Sequence, residues 1–154
     1  MISVSMRNQL ADQRDVHFAL FELLKLDELK KIPRFADHDK DIYEATIDLA
    51  FRMAVEEVYP VNREADKIGV KYNPEAKKVI IPDLLKAPLK KYNEAGFVGI
   101  MEEAEIGGMG MPFTIAIACN EIFTAASLAF TSYPSLAHGA AALIKNFGTE
   151  EQKQ

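Results

Sequence analysis

The chain has one cysteine, no tryptophan, and only eight glycines and seven prolines in 154 residues. A lone thiol, Cys119, can close no internal disulfide, and its place in an apolar run fits a reducing compartment. With 49% hydrophobic and 27% charged residues, the shortage of glycine and proline excludes collagen-like, low-complexity and disordered classes. Positive charge is also in short supply. The 18 Lys and Arg stand scattered among 23 Asp and Glu, giving a net charge of -5, so no cationic stripe offers itself to a phosphate backbone and nucleic acid is excluded as a partner. Met1 to Leu10 contain one Arg, no apolar block of signal-peptide length and no small-residue cleavage site, so the expected location is the cytoplasm. The longest apolar run, 113–130, carries Asn120 and Glu121 at its centre. A carboxylate there costs at least ~2.5 kcal/mol in lipid, so no membrane span is expected.

What is present is helical periodicity. A mass of 17.2 kDa corresponds to roughly 7,800 Å² of surface in a compact monomer, enough for a real core without staples. Asp12 is a plausible N-cap ahead of Val16, Ala19, Leu20, Leu23 and Leu24, predicting a helix to about Leu26. The polar connector 27–41 holds Asp37, Asp39 and Asp41, but a calcium loop would need glycine where Ile42 stands and Glu where Asp48 stands. Ile42 to Ile68 form a wide apolar face that Pro60 should kink or restart, with Gly69 as a C-cap. Val70 to Tyr72 and Lys77 to Ile81, around Asn73-Pro74-Glu75-Ala76, read as a hairpin. Asp83 should cap the next helix, in which Pro88 is out of place unless the helix starts there or bends. An extended entry at Phe97–Met101 leads to the loop Glu102–Met111. Then come the apolar helix 112–130, the break Thr131–Pro134 and a helix from Leu136 to Phe147. Thr149-Glu150-Glu151-Gln152 has the form of a capping box that opens another helix. The expected fold is therefore all-α, an orthogonal or up-down bundle of about five to six helices with a small β-hairpin near 70–81.

Catalytic motifs are thin. Gly107-Gly108-Met109-Gly110 suggests a phosphate loop, yet the dinucleotide fingerprint needs a third glycine where Phe113 stands, and no Walker lysine follows. His17 has no partner ligand at helical spacing, His38 lies in a solvated connector, and His138 among Ala137, Gly139 and Ala140 reads as a packed or hydrogen-bonded histidine. Ser127, Ser132 and Ser135 lack a glycine elbow, and Cys119 lacks a nucleophile signature. Glu121 is the one carboxylate expected deep in an apolar helix, where a structural role outweighs a catalytic one.

The run Glu102-Glu103-Ala104-Glu105-Ile106-Gly107-Gly108-Met109-Gly110, the long apolar helix, His138-Gly139-Ala140 and Phe147-Gly148-Thr149-Glu150-Glu151-Gln152-Lys153 together resemble the N-terminal helical domain of acyl-CoA dehydrogenases. Val58-Tyr59-Pro60-Val61-Asn62-Arg63-Glu64-Ala65-Asp66 is similar to an early helix of that family, and Arg14-Asp15-Val16-His17-Phe18 with the hairpin resembles the longer subgroup of 3-(methylthio)propanoyl-CoA dehydrogenases. The resemblance implies an N-terminal helical extension over 1–35 and the family domain over 36–154, ending where a further element should begin. It implies α,β-dehydrogenation of acyl-CoA thioesters to 2-enoyl-CoA: a glutamate takes the α-proton, FAD takes the β-hydride, and an electron-transfer flavoprotein receives the electrons. The family's glutamate and most flavin contacts lie in middle and C-terminal domains, so this chain is expected to hold no catalytic residue, to retain no FAD and to be inactive alone. The complete enzyme is expected to be a homo-oligomer. Carried over through Gly148, a wall of the acyl pocket falls on Thr131, Ser135 and Gly139. Small side chains there leave room for a bulky or long acyl group, and they equally suit close helix packing. The alternative is a stand-alone helical module whose apolar faces bind a protein partner.

Overall fold

A computed structural model describes residues 10–153. The first helix, α1 (Gln13–His17), starts where the Asp12 carboxylate accepts from the amides of Arg14 and Asp15, and it continues as a wider π-turn over Phe18–Leu23. Lys25, at φ 52°, turns the chain into short 3-10 turns, and the acidic connector ends with Asp39 accepting from the Ile42 amide to open α2 (Lys40–Met53). Asp39 is thus a helix cap, and among the described residues no acidic or histidine cluster is built to hold a metal.

Pro60 gives neither a break nor a sharp stop. Residues Ala54–Val58 widen into a π-turn that runs straight into α3 (Tyr59–Ile68), with Pro60 in the first turn. The proline lacks an N–H and its ring presses on the carbonyl four residues back, so a widened turn just upstream absorbs both defects. Gly69 at φ 65° ends the helix. The hairpin β1 (Lys71–Asn73) and β2 (Lys78–Ile80) follows, antiparallel, with Tyr72 opposite Val79 and the Asn73 side chain accepting from the Ala76 amide in the turn.

Pro88 is explained by a start earlier than itself. A 3-10 turn over Asp83–Leu85 leads into α4 (Lys86–Glu94), so Pro88 lies in the first turn, where a backbone N–H would have no helical acceptor. Asp83 does not cap through its side chain; it pairs with Lys86 at 2.6 Å instead. Phe97–Gly99 form a 3-10 turn, not the extended entry expected, because Phe97 and Ile100 must both point into the core. The apolar helix is α5 (Phe113–Ala126), interrupted at Ser127, whose hydroxyl accepts from the Phe130 amide to open α6 (Leu128–Thr131). After a turn come α7 (Ala137–Phe147) and α8 (Glu150–Lys153). The capping box at α8 is formed: Gln152 Oε1 accepts from the Thr149 amide at 2.9 Å, and Thr149 Oγ1 from the Gln152 amide at 3.3 Å.

The core lies between α2 with its π-turn extension, α5 and α4. Ile115, Ala116, Cys119, Ile122, Phe123 and Ala126 recur at helical spacing on the inner side of α5. They meet Tyr43, Ile47, Ala50, Ala54 and Val58 from α2 and the turn that follows it. At the base of this contact Tyr92, Phe97, Phe123 and Phe130 form an aromatic cluster with tilted and edge-to-face rings, Phe123 standing 4.9 Å from both Tyr92 and Phe97. Leu20 and Leu26, beyond α1, join the same core, and His17 approaches Glu44 and Asp48 of α2. Glu121, expected deep in the interior, is exposed, because α5 is apolar on nearly every side yet enclosed on only one.

Candidate functional site: an apolar cleft beneath helix α7

The outer side of α5 is left bare. Phe113 is 67% exposed and Ile117 47%, and α7 does not close over them, since none of its residues is buried. Leu136, which caps α7, and Leu143 and Phe147 within it fall on one stripe with Ala140 and are 79, 62 and 83% exposed. Among the described residues no helix is long and apolar enough to cross a membrane.

Between α4, the 97–101 segment, α5 and the start of α7 lies a cleft of about 240 Å³. Tyr92, Phe97, Ile100, Met101, Ala116, Ile117 and Cys119 make its apolar floor, and Asn120, Ser135 and His138 supply its polar atoms. Among the described residues no carboxylate lines it. Burial pushes the Cys119 thiol up to about 12, and burial first, then the neighbouring Cys119, raises Tyr92 likewise to about 12. Both groups are therefore neutral at ordinary pH, and the floor carries no charge. The arrangement suits an apolar chain better than a proton transfer.

The three carried-over residues stand in different places. Ser135 lines the cleft directly. Thr131 is 4% exposed and is not among the lining residues, its hydroxyl donating to the Leu128 carbonyl at 3.0 Å and standing 3.4 Å from the Thr124 hydroxyl. Gly139 is one turn further along α7, exposed, with open space where a Cβ would sit. The sequence reading missed Tyr92, Ile117 and Asn120. The signal was available in Phe113, Ile117 and Asn120, which recur at helical spacing on the side of α5 opposite the buried set.

The glycine run is a closed turn. The Gly107 amide donates to the Ala104 carbonyl, Gly108 to Glu103, Met109 to Gly99 and Gly110 to Glu102. An amide already bonded within the loop is not free to cradle a phosphate, and Glu102, Glu103 and Glu105 flank it with negative charge. The described residues therefore do not fit the pyrophosphate of a flavin dinucleotide at this loop.

Residues 41–154 match the family model described as the acyl-CoA dehydrogenase, N-terminal domain. The chain belongs to the acyl-CoA dehydrogenase family. It is similar to a 3-methylmercaptopropionyl-CoA dehydrogenase of Ruegeria pomeroyi, 26% identical over 143 residues, covering 93% of this chain and 24% of that protein. It is also similar to a broad-specificity linear acyl-CoA dehydrogenase of Mycobacterium tuberculosis, 30% identical over 149 residues, 97% of this chain and 24% of that protein. A butyryl-CoA dehydrogenase of Syntrophomonas wolfei is 28% identical over 150 residues, 96% of this chain and 24% of its own length. The chain thus spans about a quarter of the length of these relatives. The acyl-CoA dehydrogenase N-terminal domain is the part it matches, and the cleft beneath α7 lies within that matched region.

Proposed function

We propose that this chain is the N-terminal helical domain of an FAD-dependent acyl-CoA dehydrogenase that converts acyl-CoA thioesters to 2-enoyl-CoA, and that it supplies one wall of the acyl pocket. The observation that carries the reading is the cleft itself: an uncharged apolar floor, a small polar residue in Ser135 at its rim, and no carboxylate to act as a base. The Thr131 carbonyl accepts from the Ser135 amide at 3.1 Å, which ties the turn that carries Ser135, and Gly139 keeps the next turn of α7 free of side chain. The base that takes the α-proton and the flavin site belong, on this reading, to further domains of the kind that make up the remaining length of the relatives. FAD, an electron-transfer flavoprotein and homo-oligomer formation are properties of that complete enzyme in a cytoplasmic setting.

The purified 154-residue chain tests this. Absence of flavin absorbance and of acyl-CoA oxidation, together with strong binding of a hydrophobic dye, is the expected result, because the bare stripes of α5 and α7 exceed what an isolated soluble surface ordinarily exposes. Retained flavin or measurable oxidation would overturn it. A second reading, a stand-alone module that binds a helical partner, is favoured by the stripe Leu136, Leu143 and Phe147. It predicts that a helical partner added to the chain covers the stripe and displaces the dye.

A further inference from the structure

Helix α7 needs an anchor that burial does not provide. None of its residues is buried, and cavities flank it on both sides: the apolar cleft, and a second space of about 380 Å³ lined by Arg34, Phe35, Ala142, Lys145 and Asn146. Among the described residues, what reaches across is one histidine–carboxylate hydrogen bond and one ion pair. His138 Nδ1 lies 2.6 Å from Glu102 Oε1, and Lys145 Nζ donates to Glu103 Oε1 at 2.8 Å. His138 and Lys145 are about two turns apart on α7, so they share a face and hold the helix at two points.

The other half of the contact is rigid. Glu102 and Glu103 are consecutive, and their backbone is tied into the closed glycine turn: the Glu102 carbonyl accepts from Gly110 at 2.8 Å, the Glu103 carbonyl from Gly108 at 2.9 Å, and the Glu102 amide donates to Gly99 at 3.0 Å. A Cβ on Gly108 would come within 2.1 Å of the Glu102 carbonyl oxygen, so only glycine lets the turn close this tightly. The hydrogen bond from Lys145, and then its charge, hold the Glu103 carboxyl below the usual carboxylate range, with Arg34 adding to the same effect.

We propose that the glycine turn is a pedestal whose adjacent carboxylates dock α7, Glu102 through a hydrogen bond with His138 and Glu103 through an ion pair with Lys145, and so fix where Ser135 and His138 stand over the cleft. Glu102 and Glu103 are positioning residues, and α7 is a detachable wall. The proposal rests on the reading of the cleft as an acyl-chain wall, which deeper positioning of Ser135 would serve.

Amide hydrogen exchange on the chain tests it. Exposed contacts of this kind are individually weak. Replacing both carboxylates (Glu102→Gln with Glu103→Gln) is therefore expected to speed exchange in α7 by about twofold to thirtyfold while α5 is unchanged. Raising salt to about 1 M should do the same to the unaltered chain. Glu103→Lys alone should loosen α7, and adding Lys145→Glu should restore its protection, which a merely local structural role for Glu103 does not predict. If the double variant unfolds wholesale, α5 exchanges as well, and the salt series on the unaltered chain decides. Unchanged α7 protection in the salt series and the charge swap overturns the proposal. Binding of octanoyl-pantetheine separates the two readings: if α7 loosens but cleft binding of this probe does not change, the dock stands and the acyl-wall reading fails.

Discussion

Replacing Leu136, Leu143 and Phe147 together with serine should cost the fold less than the single change Phe123→Ala. The three residues of α7 are 79, 62 and 83% exposed. Full burial of such a side chain is worth about 1.5–3 kcal/mol. Only a fraction of each is covered, so the triple change forfeits about 1–2 kcal/mol in all, an upper bound against an extended unfolded chain. Phe123 is fully buried and packs against Tyr92, Phe97 and Phe130. Its truncation should cost about 3–5 kcal/mol, since the cavity left behind adds to the lost transfer energy. Urea unfolding followed by circular dichroism measures both, with an unchanged slope for the triple variant. Dye binding should fall in the triple variant and persist in Phe123→Ala under native conditions. A triple variant that loses more stability than Phe123→Ala would refute the reasoning, because the α7 stripe would then be packed within the chain instead of kept for a neighbour.

Three further outcomes are expected. Tyr43 is fully buried and its hydroxyl has no hydrogen-bond partner among the described residues, so Tyr43→Phe should stabilise by about 1 kcal/mol and raise Tm by roughly 2–4 °C; an unchanged or lower Tm would show that the hydroxyl is satisfied. Cys119 and Tyr92 both have folded values raised to about 12, from ordinary values of 9.0 and 10.0. The folded state therefore holds protons that the unfolded state releases, and stability present below pH 9 should decline as pH rises from about 9 to about 12, read by urea midpoints across that window; the thiol should stay inert to alkylation at pH 8 until the chain unfolds. Gly108→Ala should cost about 1–3 kcal/mol because the new Cβ meets backbone instead of a flexible side chain, whereas Gly107→Ala, with open space but φ 85°, should cost about 1 kcal/mol from backbone conformation alone; equal costs in thermal melts would contradict the assignment.

Much local chemistry was readable where a residue acts on its own neighbours. Asp12 as a cap, Gly69 as a terminator, the Asn73 turn and the Thr149 capping box all follow from short-range hydrogen bonding, whereas Asp83, expected to cap, pairs with Lys86 instead. The misreadings arose where tertiary packing decides. Phe97 and Ile100 fold into a tight turn because both must reach the aromatic cluster, an outcome their neighbours do not announce. Glu121 looked interior because α5 is apolar on nearly all sides, but enclosure depends on how many elements surround a helix, and here only one side is covered. The family resemblance was carried by loop and cap motifs and pointed to Ser135, which lines the cleft. It gave no hint that Glu102 and His138, 36 residues apart, would meet. Such a contact between polar side chains from distant segments has no periodic signature.

The most direct measurement is the amide spectrum of the isotope-labelled chain titrated with octanoyl-pantetheine. Weak saturable binding, about millimolar, with shifts concentrated at Tyr92, Ile117, Asn120, Ser135 and His138 and abolished by Ser135→Phe, is the predicted result. Shifts scattered over other surfaces, or none at all while the fold remains intact, would contradict the assignment of the α7 cleft as an acyl-chain wall.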